Sequence, residues 1–310
     1  MRYTLRQLEY FVAAGEAGSI RHASEKLSIS QPSISTAIAH LEIELGVQLF
    51  VRHHAQGLSL TGVGQILLVE AKKVLSMAES LHAIAAEATG QVRGQLQVGA
   101  MVTLAPMIMP ELAYNFRQTF PAAEISQRAA NHEWLGEKLS KAELDLAITY
   151  DLALPPGIAF EPLASLPPHA LVAQSHPLAE RGEVTLEELA AEPLILLDLP
   201  LSRHYFNELF EREGLRPTVY ARAAEQEIVR TMVANGYGYT LANVRPRSDR
   251  ALDGKRLVRL RLKGAHRPMV IGMAMRQGER QSRLLEHFIV HCRASISDQT
   301  IPGMCPLDEG

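Results

Sequence analysis

The 310 residues, 47% of them hydrophobic and 21% charged, suffice for two or three domains and exclude a disordered, collagen-like or fibrous chain. A formal net charge of −3 excludes a generally polybasic protein and leaves room for one local nucleic-acid face, with 12 histidines able to add charge as pH falls. Cys292 and Cys305 lack any zinc-type spacing, Arg2, Arg6, Glu9 and Glu16 interrupt what would be a signal peptide's apolar core, and no apolar run is long enough to span a membrane. The expectation is an unexported protein of a reducing cytoplasm, with no membrane partner.

Residues 1–60 read as short helices with tight joints. Leu5, Leu8, Phe11 and Val12 share one helical face before Gly15 and Gly18 break the pattern. Ser19 can cap a second helix that turns Ile20, Ala23 and Leu27 inward, and Ser28-Ile29-Ser30 is the turn to a third. That third helix has Ser30 as N-cap, Pro32 in its first turn and Ile34, Ile38, Leu41 and Leu45 on its core face. Its other face shows Gln31, Ser33, Ser35, Thr36, Ala37 and His40, short or polar side chains that permit close approach. Gly46 ends it, and Phe50 to Leu60 has the pattern of a hairpin with His53, His54, Gln56 and Gly57 at the tip. Such a pattern is a winged helix-turn-helix, sized for the major groove of duplex DNA, or a small structural bundle. Charge does not decide between them: five bases and five acids leave this segment neutral, so phosphate attraction would come from placement, helix N-termini and pairing of chains.

Several runs here resemble the N-terminal signature of LysR-type transcriptional regulators: Leu8-Glu9-Tyr10-Phe11, Gly18-Ser19, Ala23 to Leu27, Ser30 to Ser35, Leu41 to Phe50, Arg52, and Leu60 to Gly64. The resemblance implies sequence-specific DNA binding by a homodimer, with a homotetramer as the expected assembly and RNA polymerase as a further partner. The DNA-contacting residues are then Gln31, Pro32, Ser33, Ser35 and Thr36 at the start of the recognition helix, and Arg52 and His53 on the wing. Thr36 and Ala37 stand where the family often places Arg and Gln, so a long-reach contact is absent.

From about Thr61 to Thr89 the pattern is one long helix. Leu67, Ala71, Val74, Ala78, Leu81, Ala85 and Ala88 recur at spacings of 4 and 3, a heptad seam for pairing two chains over roughly 43 Å. The other reading is a helix packed on its own domain. In regulators of this resemblance such linker helices pair.

Residues 90–295 alternate strand and helix, giving α/β with mainly parallel sheets. Helices are expected over Pro110–Phe120, Trp134–Lys141, Leu186–Ala191, Arg203–Glu213 and Gln226–Asn235. Pro155-Pro156-Gly157 and the stretch around Arg267-Pro268 are candidate crossings between two lobes, one formed by about 90–162 and 267–295, the other by about 163–266. Leu144–Ile148, His176-Pro177-Leu178 and Met232–Gly238 resemble the same family's effector domain, with Asn243 where the family usually has proline. The fold class is thus α plus α/β: a winged helix-turn-helix, a long linker helix and a two-lobed effector domain of periplasmic-binding-protein type. Residues 296–310, with Pro302, Gly303 and Pro306 and no periodicity, read as a loose tail.

No catalytic constellation has a recognisable spacing: there is no Gly-x-Ser-x-Gly elbow, Walker loop or His-Glu-x-x-His, and His53-His54 lacks a third ligand nearby. No enzyme activity, metal or cofactor is expected; the competing readings are a cytoplasmic solute-binding or sensor protein, and an enzyme with a DNA-binding appendage. Ligands of open α/β sheets sit beyond the carboxyl ends of strands. The candidate effector residues there are Ala100, Met101, Val102 and Thr103, then Asn131 and Tyr150, then Ser202, Arg203 and Thr240, with Arg203 and Thr103 clamping an anionic group. The expected effector is a small organic acid of aromatic or amphipathic character, and lobe closure would alter DNA bend rather than affinity. Trp134, Tyr237 and Tyr239 are secondary candidates for stacking on it.

Overall fold

The computed structural model describes residues 2–53, 57–87, 92–278 and 281–306, with the side chains of 52–53, 76 and 79–87 outside that description. The chain divides into two compact units near residue 94.

In the first unit, helix α1 (Leu5–Ala17) is set by a capping box in which Gln7 N–H donates to Thr4 Oγ1 and Thr4 N–H donates to Gln7 Oε1 at 2.8 Å. Ser19 caps α2 (Ile20–Leu27) by accepting from His22 N–H, and Ser30 caps α3 (Gln31–Leu45) by accepting from Ser33 N–H. Ser28 ends α2 in the left-handed region at φ 54°, which makes the joint between α2 and α3 tight. Strands β1 (Phe50–His53) and β2 (Gly57–Leu60) form the antiparallel wing, in register from Phe50↔Leu60 to His53↔Gly57. The wing is fastened at two points. Glu42 Oε1 on α3 accepts from Leu49 N–H at 2.7 Å and Phe50 N–H at 3.2 Å, and Leu58 N–H donates to Gly18 O at 2.9 Å. Phe11, Ile34, Ile38, Leu41 and Leu49 form the core, with Phe11 and Phe50 edge to face at 5.6 Å.

The long helix α4 (Gly62–Glu87) starts where Thr61 Oγ1 accepts from Gly64 N–H and donates to Gln48 O. A Cβ at Gly64 would meet Leu49 O at 2.1 Å, so glycine is required at this approach. The head takes up two positions of the expected seam. Ala71 is buried and Leu67 half-buried against the head's own core, beside Leu68 and Leu75. Among the described side chains of this helix, Val63, Ile66, Val74 and Met77 are exposed apolar ones, at 46%, 66%, 40% and 70%. Among the described residues of the expected seam, Val74 is exposed, and Ile66 and Met77 are exposed apolar residues outside it. The side chains of Leu81 and Ala85 lie outside the described residues, as does Ala88.

The second unit opens with β3 (Gly94–Met101), α5 (Ala105–Thr119), β4 (Ala123–Ala130), α6 (His132–Ser140), β5 (Leu146–Tyr150) and β6 (Ile158–Leu166). Helix α5 begins five residues before the expected Pro110, because Pro106 fits the first turn and Pro110 is accommodated inside. The chain then crosses into a second lobe made of β7 (His169–Ala173), β8 (Glu183–Val184), α7 (Leu186–Ala190), β9 (Pro193–Leu197), α8 (Pro200–Arg212), β10 (Thr218–Ala223), α9 (Gln226–Ala234), β11 (Thr240–Ala242) and β12 (Leu257–Leu262). It returns for β13 (Met269–Arg276) and α10 (Arg283–Ser295). The first lobe holds a sheet of order β4-β3-β5-β13-β6; the second holds β11-β7-β12-β8, with the β10-β9 pair joined to β11 beside it through a Leu194↔Tyr239 bridge.

Both main sheets are mixed rather than mainly parallel. β13 runs antiparallel to β5 and β6, and β11 and β12 run antiparallel to β7. The cause is the crossing itself: β6 leaves the first lobe at Leu166, opposite Met269 where β13 re-enters, so the two strands must run in opposite directions. Leu166 also places the outward crossing at Pro167-Pro168, beyond the 162/163 boundary, and Pro155–Gly157 is only the turn into β6. The stretch expected to be a loose tail is fixed as far as it is described. Ile296, Ile301 and Met304 are buried, Met304 bridges Pro246, and Cys305 N–H donates to Arg245 O at 2.9 Å. Arg247 N–H donates to Gly303 O, and Asp298 Oδ1 accepts from Ser165 N–H. Residues 296–306 thus strap the first lobe to the loop after β11.

Candidate DNA-reading face and effector cleft

Gln31, Pro32, Ser33 and Thr36 are exposed on α3 and Ser35 is half-buried, while Ile34 and Ile38 hold the opposite face in the core. Ser30 Oγ and Ser33 Oγ lie 2.8 Å apart, so the Ser33 hydroxyl is engaged within the cap, and Gln31, exposed beside it, has the longer side chain at this helix start. His40, farther along the exposed face, meets Gln7 Nε2 through its Nδ1 at 3.1 Å. Arg52 and His53 are in β1 by backbone, and their side chains lie outside the described residues, as does His54 altogether.

In the second unit a cleft opens between the lobes. Four of the expected effector residues line it: Thr103 just after β3, Tyr150 at the end of β5, Ser202 in the first turn of α8 and Thr240 at the start of β11. Thr103 Oγ1 and Tyr150 Oη are hydrogen-bonded at 3.0 Å, and burial pushes the Tyr150 hydroxyl well above the usual phenol range, so it stays protonated. The rest of the lining is largely apolar, including Leu197, Phe206, Val229 and Met269.

The other expected residues are elsewhere. Ala100 and Met101 are buried and Val102 is 38% exposed, all off the cleft lining. Asn131 is used as a helix cap, its Oδ1 accepting from Trp134 N–H at 2.9 Å. Arg203 points away into an ion pair, donating to Asp198 Oδ1 at 2.6 Å, because its position on α8 faces the end of β9 rather than the cavity. Trp134 carries Lys138 Nζ over its ring, Tyr237 packs on Tyr220, and Tyr239 is fully buried, so none of the three lines the cleft.

The cation at the cleft is Arg230, which sequence reading missed. It is 4% exposed, donates from Nη2 to Ser248 O and Arg250 O, and stands 3.3 Å from Glu227. Burial lowers its pKa, with Glu227 opposing that shift. Gln226, Val229, Arg230 and Val233 fall at i, i+3, i+4 and i+7 on α9, a spacing that places Arg230 and Gln226 on the inward face and could have found both. Asn243, singled out in the sequence as standing where the family usually has proline, lines the cleft at 3% exposure, with Nδ2 donating to Leu166 O at 2.8 Å and Tyr205 Oη at 3.2 Å.

Two family models match the chain: "Bacterial regulatory helix-turn-helix protein, lysR family" over residues 5–65, and "LysR substrate binding domain" over residues 89–297. The chain belongs to the LysR family. It is a DNA-binding transcriptional regulator with an effector-binding domain, of a family whose members oligomerise. Among LysR-family relatives, it is 32% identical over 243 residues to the HTH-type transcriptional regulator CysB of Burkholderia cenocepacia, covering 76% of each chain. It is 37% identical to HinK, a LysR family transcriptional regulator from Pseudomonas aeruginosa whose crystal structure it matches at a TM-score of 0.65, over 95% of this chain and 99% of that one. The LysR-type fold is shared with full-length CbnR in complex with its target DNA, at 24% identity, a TM-score of 0.65 and coverage of 94% and 99%. These relatives are named as regulators, not as enzymes.

Proposed function

We propose that this LysR-family regulator is a cytoplasmic homodimer, assembling further to a homotetramer, that reads duplex DNA through Gln31, Ser33, Ser35 and Thr36 and is switched by a small organic anion in the interlobe cleft. RNA polymerase is its downstream partner at the promoter. The observation that carries the effector reading is the convergence of Thr103, Tyr150, Ser202 and Thr240 from separate elements on one cavity with a buried arginine, Arg230, in its wall. Ser202 lies in the first turn of α8, where backbone N–H groups lack helical partners and favour a carboxylate. The apolar lining accommodates the remainder of an amphipathic acid. A ligand that touches both lobes binds the closed form better than the open one, which is the differential affinity a switch needs.

The test uses the full chain. Selection from a random duplex pool should enrich one two-fold-related sequence, and a thermal-shift screen of metabolite acids should yield a hit that Thr103→Val weakens. Recovery of no enriched sequence would remove the DNA reading. A hit that stabilises wild type and Thr103→Val equally would place the effector elsewhere.

A further inference from the structure

The polar atoms of the cleft specify more than an anion. Asn243 has both amide hydrogens committed: one goes to Leu166 O and the other to Tyr205 Oη, whose own proton goes to Arg267 O at 2.6 Å. A carbonyl oxygen accepts only, so this chain of bonds fixes which end of the amide is nitrogen. Asn243 Oδ1 is then left buried with no partner, and so is Gln226 Oε1, and both residues line the cleft. A buried acceptor without a donor is destabilising, and a ligand relieves this by supplying one. Arg230 is the charged side chain of the lining, and no carboxylate lines it. Glu227 is already paired with Arg230 and is not part of the lining, so an ammonium group placed here would be buried beside a cation with no carboxylate of the cleft to meet it, which favours a neutral donor.

We infer that the effector is an acid that also carries an uncharged N–H or O–H donor, such as a ring N–H, an amide or a hydroxyl, which meets Asn243 Oδ1 and Gln226 Oε1. This rests on the reading of the cleft as the effector site. It excludes plain hydrocarbon acids and amino acids with a free ammonium group as best ligands.

The experiment is calorimetric titration of the full chain with probe pairs matched in size: 4-hydroxybenzoate against 4-fluorobenzoate, and indole-3-carboxylate against benzofuran-3-carboxylate, with 4-(aminomethyl)benzoate as the charged-donor probe. The donor-bearing member of a pair should bind at least about tenfold more tightly than its partner, because a site with an unpaired polar group rejects the analogue that leaves it unpaired. The ammonium probe should bind no better than the fluoro compound. In Gln226→Leu and in Asn243→Ala the preference should shrink to within about threefold. Gln226 is half-buried at the start of α9, so its variant keeps the test valid if Asn243→Ala fails to fold. Equal binding of both members to wild type, or a preference unchanged in both variants, overturns the inference. Ser202→Leu, which fills the cleft, separates the two levels: probes that bind it undiminished are bound elsewhere and the cleft reading fails. Probes lost in Ser202→Leu but indifferent to the donor leave the cleft standing and remove the donor.

Discussion

Gln31 and Arg52 would enter DNA in different ways, and their variants should behave differently. Gln31 is exposed at the first position of α3, where a side-chain amide can pair bidentately with adenine. Gln31→Ala should relax preference at one base position and cost about 1–3 kcal/mol there, whereas Arg52→Ala should weaken all sequences alike and lower the salt slope. Gel-shift titrations on matched and single-base-altered duplexes check this, and an unchanged preference in Gln31→Ala would refute the assignment. His169 yields a pH prediction. It is buried on β7, and burial, followed by Arg259, Arg245 and Arg230, holds its pKa well below the ordinary value of 6.5. The folded chain therefore resists protonating it while the unfolded chain does not. Its contribution is fully present above about pH 6.5 and is lost as pH falls below that value toward the folded pKa. His132, lowered mainly by burial, acts in the same direction. The urea midpoint of the effector unit should fall between pH 7.5 and 5.5, and less steeply in His169→Gln. Equal slopes in the two proteins would show that His169 is not the group responsible. At this scale the sequence was legible at the carboxyl ends of β3 and β5, where Thr103 and Tyr150 line the cleft, but not after β4, where Asn131 serves as a helix cap. Arg203 was read from its place at a helix start, whereas Arg230 was signalled only by its spacing with Gln226, Val229 and Val233 on the inward face of α9.

For the elements, the head was the most legible part. Its Ser caps and its glycines at positive φ are local devices that act within four residues. The pairing face of α4 was less so, because one apolar stripe had to serve both the head core and a partner chain, and Ala71 fits either. The structure leaves Ile66 and Met77 exposed while Ala71 is buried. Ile66→Glu and Met77→Glu should lower the sedimentation coefficient with little change in thermal midpoint, whereas Ala71→Glu should unfold the head by burying an unpaired charge. Oligomers that withstand both exposed-face changes would move the pairing surface off this helix. Strand β12 carries little local signal. Leu257-Val258-Arg259-Leu260-Arg261-Leu262 mixes arginine into the run, and its pairing with β7 comes from residues more than eighty positions earlier.

In the whole molecule, the feature that no local pattern announced is the strap of residues 296–306, whose contacts to Ser165, Arg245, Pro246 and Arg247 are distant in sequence. The effector family model ends at residue 297, within this segment. Ending the chain at 297 removes the buried side chains of Ile301, Pro302 and Met304. Each large apolar side chain is worth about 1.5–3 kcal/mol at most, so the thermal midpoint of the effector unit should drop by roughly 5–15 °C. An unchanged midpoint by calorimetry would show that the strap is stabilising nothing.

The strap also bears on the geometry of closing. Two chain segments joining two rigid bodies allow them both to bend and to twist about one another, like two strips of paper between two books. Residues 167–168 and 263–268 are such a pair, and the strap, held to the loop at 245–247, supplies a third attachment beside them. Three attachments side by side act as the pins of a door hinge: twist is blocked and a single axis of rotation remains. Whatever enters the cleft would then drive the lobes along one coordinate, so that ligands of different shape change how far the movement goes and not its direction.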